Sequence, residues 1–211
     1  MTLSVGINAA DPLRIGEQIE TLRAAGVSWL HVDVMDGRFC PPIAGSAALV
    51  GALPDGFVRD VHLMVDDPLA QVDAFVGAGA DALTFHIEAT RHPHRVLQSL
   101  AGRGCKRGVA LNPGTPVTFV EPLLDDLELL LILAVNPGWP GQRLLPSTAA
   151  RLAEARSLVG ERDVLIGVDG GITQENVAAL AARADVVVAG SAAFAGDDLA
   201  GSVQAMLAAT A

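Results

Sequence analysis

The stretch Leu129-Leu-Leu-Ile-Leu-Ala-Val135 consists only of aliphatic residues. A strand with one solvated face alternates apolar and polar side chains, whereas a strand of a parallel sheet is covered on both faces and is apolar throughout. This stretch therefore predicts a fully buried strand of a parallel sheet. Seven more short strand candidates lie along the chain, at residues 5–8, 29–34, 59–65, 82–86, 107–111, 164–168 and 185–189.

Helical patterns separate these strand candidates. Ile15, Ile19 and Leu22, for example, recur at the spacing of one helix face. Eight β–α units without a long linker predict a TIM barrel, that is, a (β/α)8 barrel forming a single domain over residues 1–211. A doubly wound open sheet is the alternative. It would have five or six strands and a glycine-rich turn after the first strand, and Asn8-Ala-Ala-Asp11-Pro is not such a turn.

Composition and charge narrow the classes of function. The formal net charge of −10 argues against nucleic acid or an anionic membrane as a partner. It is compatible with a phosphorylated small molecule, because backbone N–H groups bind phosphate whatever the net charge. The hydrophobic content of 51% favours self-association into a homo-oligomer.

The location of the protein is also constrained by its sequence. No apolar run approaches the roughly 18 residues of a membrane span, and the N-terminus has no secretory pattern. The cysteines are Cys40 and Cys105, which fit a reducing cytosol better than a disulfide framework. We therefore expect a cytoplasmic protein without membrane contact.

Polar side chains stand at the carboxyl ends of three strand candidates, the rim at which TIM barrels carry their active sites. His31 and Asp33 are two residues apart and so point to the same face of one strand. His62 ends the next strand, and Asp169 follows the seventh. A single His–Asp pair would be read as a structural hydrogen bond, but four converging polar groups are costly unless a ligand satisfies them.

This set of side chains suggests two kinds of chemistry. Two histidines and two aspartates can hold one divalent metal while leaving room for a substrate oxygen. Two carboxylates on opposite sides of one carbon can remove a proton from one face and return a proton to the other.

Other polar positions near the rim are more ambiguous. Asp36 is interpreted as a turn residue that caps local N–H groups rather than as a catalytic group. His86 is either a histidine satisfied by the protein or a substrate contact. Glycine-rich turns follow strands six, seven and eight, at residues 136–142, 170–171 and 190–191. Each alone is an ordinary turn, but the last two lie where barrels commonly bind phosphate.

These motifs resemble the ribulose-phosphate 3-epimerase family over nearly the whole chain. The resemblance rests on His31-x-Asp33-Val-Met-Asp-Gly-x-Phe39, His62-Leu-Met-Val65, Thr84-Phe-His-x-Glu88, Asn136-Pro-Gly138-x-x-Gly-Gln142, Val168-Asp-Gly-Gly-Ile172 and Gly190-Ser191. It implies a barrel of the ribulose-phosphate-binding type with one divalent metal (Zn, Fe, Mn or Co) held by His31, Asp33, His62 and Asp169. It also implies a substrate and phosphate site formed by Met35, Met64, Gly138, Gly141, Gly170, Gly171, Gly190 and Ser191.

We therefore expect a metal-dependent epimerase of ketose phosphates, such as ribulose 5-phosphate and xylulose 5-phosphate, that acts through a metal-stabilised enediolate. Asp33 and Asp169 would be its catalytic acid and base. Two alternatives stay open: a non-catalytic barrel that binds a sugar phosphate, and an epimerase of an unphosphorylated or hexulose substrate. A Schiff-base aldolase is disfavoured, because the only lysine, Lys106, precedes strand five at the opposite end of the barrel.

Four positions depart from the family pattern. Gly6 stands where the family has a serine that contacts the substrate, Leu133 stands where it has a methionine, and Pro42 stands where it has an asparagine. Pro140 replaces a glycine, and since proline has no N–H, one possible phosphate donor is lost. We therefore expect weaker use of ribulose 5-phosphate than is typical of the family.

Overall fold

Eight parallel strands close into a barrel in the computed structural model, which describes residues 1–139 and 141–210. Each strand pairs with its neighbours in sequence, and pairing of the first strand with both the second and the last closes the ring. The strands are β1 (Thr2–Gly6), β2 (Trp29–Asp36), β3 (Val58–Met64), β4 (Ala82–His86), β5 (Lys106–Leu111), β6 (Leu129–Leu133), β7 (Leu165–Asp169) and β8 (Val186–Ala189). The predicted (β/α)8 barrel is confirmed. Pro140, and the expectation attached to it, lies outside the described residues.

Helices connect successive strands and pack on the outside of the barrel. The α-helices are α1 (Ile15–Ala24), α2 (Ala47–Ala52), α3 (Val72–Gly77), α4 (Pro93–Leu100), α5 (Thr148–Val159), α6 (Val177–Ala181) and α7 (Leu199–Ala208). Between β5 and β6 the connection is instead a 3-10 helix, Val117–Asp126, with Pro122 inside it. Proline lacks the N–H of an α-helical hydrogen bond and its ring clashes with the preceding turn, which disfavours an α-helix there.

The predicted first strand begins three residues too late and ends two residues too late. The apolar pattern suggested residues 5–8, but β1 is Thr2–Gly6, and Ile7–Ala9 form a 3-10 turn. Leu3, Val5 and Ile7 are all buried. A period-two pattern therefore continues through the turn and does not mark where the strand ends. A second difference is a two-residue antiparallel strand, Ile43–Ala44, which pairs with the end of β2.

The interior of the barrel is divided into a polar and an apolar side. β1 to β4 contribute the buried polar side chains Ser4, His31, Asp60, His62, Thr84 and His86. β5, β6 and β8 contribute a small apolar cluster of Ala110, Leu131, Leu133 and Val188. The apolar wall offers no hydrogen-bond partners, so the polar side chains contact one another and the neighbouring carboxylates, and this orients them. The Thr84 hydroxyl is the exception, because it is buried without a hydrogen-bond partner.

None of the helices in the described part of the chain is both long enough and apolar enough to cross a membrane.

Candidate active site

Four side chains at the carboxyl-terminal rim, which we call the rim cluster, converge on one point. His31 and Asp33 come from β2, His62 from β3 and Asp169 from β7, and one potential ligand atom of each lies within 4.8 Å of the others. His62 Nδ1 is 3.0 Å from Asp33 Oδ1 and 3.8 Å from Asp169 Oδ2. The strand register places Asp33 beside His62. The structure thus brings together all four side chains that the sequence predicted to meet.

Asp60 holds His31 from behind the rim cluster. Its Oδ2 lies 2.7 Å from His31 Nδ1 and accepts the Ser4 hydroxyl at 3.1 Å. An ionised carboxylate can only accept, so His31 Nδ1 carries a proton. In the neutral imidazole, Nε2 is then the lone-pair atom, and it lies 3.3 Å from Asp33 Oδ1.

His86 is satisfied by the protein, which decides between its two readings. The side chain is fully buried, its Nε2 lies 3.0 Å from His62 Nε2, and its Nδ1 lies 3.2 Å from Glu88 Oε2. The other oxygen of Glu88 accepts the Asn112 N–H at 2.8 Å and the Thr115 hydroxyl. Burial opposes ionisation of Glu88, but these three hydrogen bonds prevail and lower its pKa.

The two carboxylates of the rim cluster have opposite pKa shifts. Burial favours the neutral acid at both. At Asp33, the neighbouring His31 and His62 outweigh burial and hold the pKa well below its usual range. At Asp169, burial and then the negative charge of Asp33 raise the pKa to about 6. One carboxylate is therefore ionised while the other titrates near neutrality, which is a suitable arrangement for a base and an acid.

The two histidines also differ. Burial lowers the pKa of each. At His31, the carboxylates of Asp60 and Asp33 more than compensate, and the pKa is raised well above its usual value. At His62, burial prevails over the attraction of the neighbouring Asp33 carboxylate, and the pKa is lowered. His62 is therefore a neutral imidazole with one lone pair.

The donor set of the rim cluster fits a divalent cation. Two imidazole nitrogens and two carboxylate oxygens form a mixed N/O set suited to Zn, Fe(II), Mn or Co. Two carboxylates brought together in a buried site are costly without compensating positive charge, and a cation between them supplies it. The cluster can therefore hold a divalent metal.

A cavity of about 380 Å³ opens above the rim cluster. Asp33 and Asp169 form part of its wall. All eight residues predicted to contact substrate also line it: Met35, Met64, Gly138, Gly141, Gly170, Gly171, Gly190 and Ser191. So do three of the four departing positions, Gly6, Pro42 and Leu133. The volume suits a small-molecule ligand. A larger cavity, of about 550 Å³, lies around Cys105 and Lys106 at the opposite end of the barrel, away from these side chains.

The glycines of the cavity wall serve two different purposes. Gly170 and Gly171 have φ of +104° and +67°. A Cβ there would overlap Val135 and the backbone at Leu144, so the fold itself requires glycine. At Gly190, by contrast, a Cβ would have no described atom within 4 Å. The space beside Gly190 is part of the cavity, and the absence of a side chain leaves the backbone accessible to a ligand.

Asp36 caps a turn, as predicted. Its Oδ1 accepts the N–H groups of Arg38 and Phe39 at 2.9 and 3.0 Å, and its Oδ2 accepts that of Asp66 at 2.8 Å. Both oxygens are therefore used by the backbone.

Comparison with known proteins agrees with this geometry. Residues 2–194 match the model of the ribulose-phosphate 3-epimerase family. The chain belongs to this family. The epimerase chain is 42% identical over 197 residues to the ribulose-phosphate 3-epimerase of Rhodobacter capsulatus, covering 92% of this chain and 86% of that protein. It is 39% identical over 198 residues to that of Bacillus subtilis (strain 168), covering 91% of each.

This epimerase also shares its fold with more distant barrels. Orotidine 5'-phosphate decarboxylase from Pyrococcus horikoshii OT3 superposes with a TM-score of 0.74 over 99% of each chain, at 14% identity. An identity this low shows a common fold alone. Family membership, by contrast, makes the chain an isomerase of carbohydrate metabolism.

Sequence reasoning missed several residues of the epimerase site. Asp60 lies two residues before His62 on the same strand, so its side chain faces the interior too, and this spacing was the available signal. Asn8 was assigned to a strand, but its side-chain amide donates to the Asp33 carbonyl at 2.8 Å and accepts the Asp33 N–H at 3.0 Å. Asn8 thus fixes the backbone at Asp33.

Proposed function

We propose that this epimerase interconverts ribulose 5-phosphate and xylulose 5-phosphate, or a closely related pair of ketose phosphates. The observation that carries the proposal is the position of Asp33 and Asp169. Both line the wall of one small cavity, and their pKa values are shifted in opposite directions. A binding module has no need of such a pair, so this feature favours catalysis over a non-catalytic sugar-phosphate barrel.

The proton transfers are assigned to these two carboxylates. Asp33, held ionised by His31 and His62, would take the proton from the carbon next to the ketone. Asp169, with a pKa of about 6, would supply a proton to the opposite face, and the reverse reaction exchanges their roles.

We assign His31, Asp33, His62 and Asp169 as the residues that would hold one divalent metal. When bound, the metal would supply Lewis-acid stabilisation of the negative charge that develops on the substrate oxygens. Asp60 would keep His31 oriented with Nε2 toward the site. Asn8 would keep the Asp33 backbone in place.

The phosphate is assigned to the glycine-rich wall of the cavity. Backbone N–H groups at Gly170, Gly171, Gly190 and Ser191, together with the turn at Gly138 and Gly141, would bind its oxygens, and Met35 and Met64 would line the sugar.

Gly190→Ala tests this assignment without disturbing the fold. Because no described atom lies within 4 Å of the added methyl group, we expect the thermal midpoint to stay at the wild-type value. The methyl group would displace the phosphate from its N–H donors, and each such bond is worth roughly 1.5–3 kcal/mol. We expect KM for a ketose phosphate to rise on the order of tenfold or more, measured by steady-state kinetics. An unchanged KM would show that the phosphate does not bind beside Gly190.

The affinity for metal is expected to rise with pH, because protons and metal compete for the same atoms. In the metal-free protein His31 is protonated at neutral pH, and Asp169 gains a proton as the pH falls through about 6. Binding should therefore release about one proton near pH 7 and about two below pH 6. Chelator competition with Zn(II) between pH 5 and 8 measures this slope, and a flat profile would contradict the ligand assignment.

The activity itself is tested with a panel of substrates. Purified, metal-loaded protein is assayed with pentulose and hexulose phosphates and with the unphosphorylated sugars. We expect turnover of ribulose 5-phosphate, weakened by the changes at Gly6, Pro42, Leu133 and Pro140. Preference for an unphosphorylated or hexulose substrate would redirect the proposal, and no turnover of any ketose would favour the binding-only alternative.

We also propose that the chain acts as a single barrel domain, in the cytoplasm and as a homo-oligomer. The two buried free cysteines are compatible with a reducing compartment. The proposal of a homo-oligomer rests on the hydrophobic content of 51%. Analytical ultracentrifugation determines the oligomeric state directly.

A further inference from the structure

His86 contacts His62 of the rim cluster, and Glu88 contacts His86 in turn, but neither residue lines the cavity or has a role in the proton transfers. We propose that they are positioning residues that determine which nitrogen of His62 carries its proton, and that they thereby keep His62 Nδ1 free for the metal. We call the series Glu88–His86–His62 the histidine relay. This inference rests on the proposed metal site.

The first step of the histidine relay is the carboxylate of Glu88. One of its oxygens is occupied by two donors, the Asn112 N–H at 2.8 Å and the Thr115 hydroxyl. Its other oxygen faces His86 Nδ1 at 3.2 Å. An ionised carboxylate has no hydrogen to give, so this contact is a hydrogen bond only if His86 Nδ1 carries the proton. Glu88 therefore selects the Nδ1–H tautomer of His86.

In the second step, the tautomer of His86 determines the tautomer of His62. With its proton on Nδ1, His86 presents a lone pair at Nε2, and this atom lies 3.0 Å from His62 Nε2. Two nitrogens at this distance inside a buried site need one hydrogen between them, because two lone pairs facing each other would repel. His62 therefore donates from Nε2, and its Nδ1 is left with a lone pair.

The third step is the direction of that lone pair. His62 Nδ1 faces Asp33 Oδ1 at 3.0 Å and Asp169 Oδ2 at 3.8 Å. Without the relay, a proton on Nδ1 would form an ordinary hydrogen bond to Asp33 and occupy the place of the metal. With the relay, Nδ1 and the carboxylates are all acceptors, and a cation satisfies the three together. Asp60 acts in the same way on His31, so the proton that His31 loses when metal binds leaves from Nε2, and its lone pair then faces the same point.

Packing holds the relay in this geometry. The rings of His62 and His86 lie end to end, with centroids 5.0 Å apart and planes inclined by 29°, as a hydrogen bond between their Nε2 atoms requires. The centroid of the Phe39 ring lies 4.6 Å from that of His86. Both histidines are fully buried. Because both rings are buried and each ring nitrogen faces a polar neighbour, the tautomer is controlled by the acceptor at the end of the relay, which is Glu88.

Glu88→Gln reverses the relay while preserving its shape. The amide oxygen would remain with the donors of Asn112 and Thr115, and the amide NH2 would face His86 Nδ1 and donate to it. His86 would then carry its proton on Nε2, and His62 on Nδ1, where it blocks the metal. We expect the Zn(II) dissociation constant to increase about 10- to 100-fold. The thermal midpoint of the metal-free variant should remain close to that of metal-free wild type.

Glu128→Gln is the matched control. Glu128 is also a hydrogen-bonded carboxylate, but it accepts from the Arg107 backbone and side chain at the amino-terminal end of the barrel. The same chemical change there should leave the Zn(II) affinity at the wild-type value. Comparison of the two variants by chelator competition separates the relay from a general effect of losing one negative charge.

Nitrogen-15 NMR of histidine-labelled, Zn(II)-loaded wild type tests the relay without any substitution. We expect His86 protonated on Nδ1 alone, and His62 protonated on Nε2 with zinc on Nδ1. His86 protonated on Nε2, or on both nitrogens, would overturn the relay, as would wild-type Zn(II) affinity in a folded Glu88→Gln variant. If wild type itself binds no Zn(II), the proposed metal site fails, and the relay fails with it.

Discussion

Replacing Asp33 or Asp169 by asparagine is expected to reduce kcat by about 10²- to 10⁴-fold, the usual contribution of a positioned acid or base. The amide keeps the shape of each side chain but cannot accept the substrate proton. Both residues line the cavity, and their opposite pKa shifts suit opposite roles. Turnover is measured with the metal content of each variant determined on the same sample, because both residues are also proposed ligands.

Asp163→Asn is the matched control for these two variants. Asp163 is exposed and lies before β7, at the end of the barrel opposite the rim cluster. It undergoes the same chemical change, and we expect wild-type kcat and metal content. A variant at Asp33 or Asp169 that retains its metal and turns over at near the wild-type rate would remove that residue from the proton transfer.

Removing the metal is expected to abolish most activity, by about 10²- to 10³-fold, because Lewis-acid stabilisation contributes several kcal/mol. The fold should survive, since the main apolar core lies between the strands and the helices and does not include the rim cluster. Activity is assayed after chelation and again after addition of Zn, Fe(II), Mn or Co, with circular dichroism recorded at each stage. Full activity of a metal-free sample would contradict the metal-dependent mechanism.

The fold was largely predictable from the sequence, because strands buried on both faces leave a plain signal. The continuous aliphatic run at Leu129–Leu133 and the repeated alternation with helical patterns led directly to the barrel. The type of helix in the connection Val117–Asp126 was harder to predict. Its apolar residues are compatible with either an α-helix or a 3-10 helix, and the placement of Pro122 decides between them.

The rim cluster was predictable for a different reason. His31 and Asp33 share a face because side chains alternate along a strand, and His62 and Asp169 occupy equivalent rim positions. The residues behind the cluster were not found, because their roles depend on contacts between strands. The spacing of Asp60 from His62 indicates that its side chain faces the interior, but its contact with His31 becomes evident only from the register of the two strands.

Glu88 illustrates the same limit more sharply. It lies in the 3-10 turn Ile87–Ala89, outside the alternation of β4, so its direction cannot be read from the spacing. Only the folded chain shows its carboxylate next to His86 and within reach of Asn112 and Thr115. Hydrogen-bond networks of this kind depend on orientation and distance, which a linear pattern does not encode.

Two opposed carboxylates are proposed to act on the carbon next to the ketone: one removes its proton, and the other adds a proton to the opposite face. The most direct test of this proposal is proton NMR of ribulose 5-phosphate incubated with metal-loaded protein in D2O. Since the proton added by Asp169 comes from solvent, we predict xylulose 5-phosphate carrying one deuterium at C3. The unreacted ribulose 5-phosphate should keep its C3 hydrogen during the first turnovers. Product that retains hydrogen at C3, or no product at all, would contradict the account.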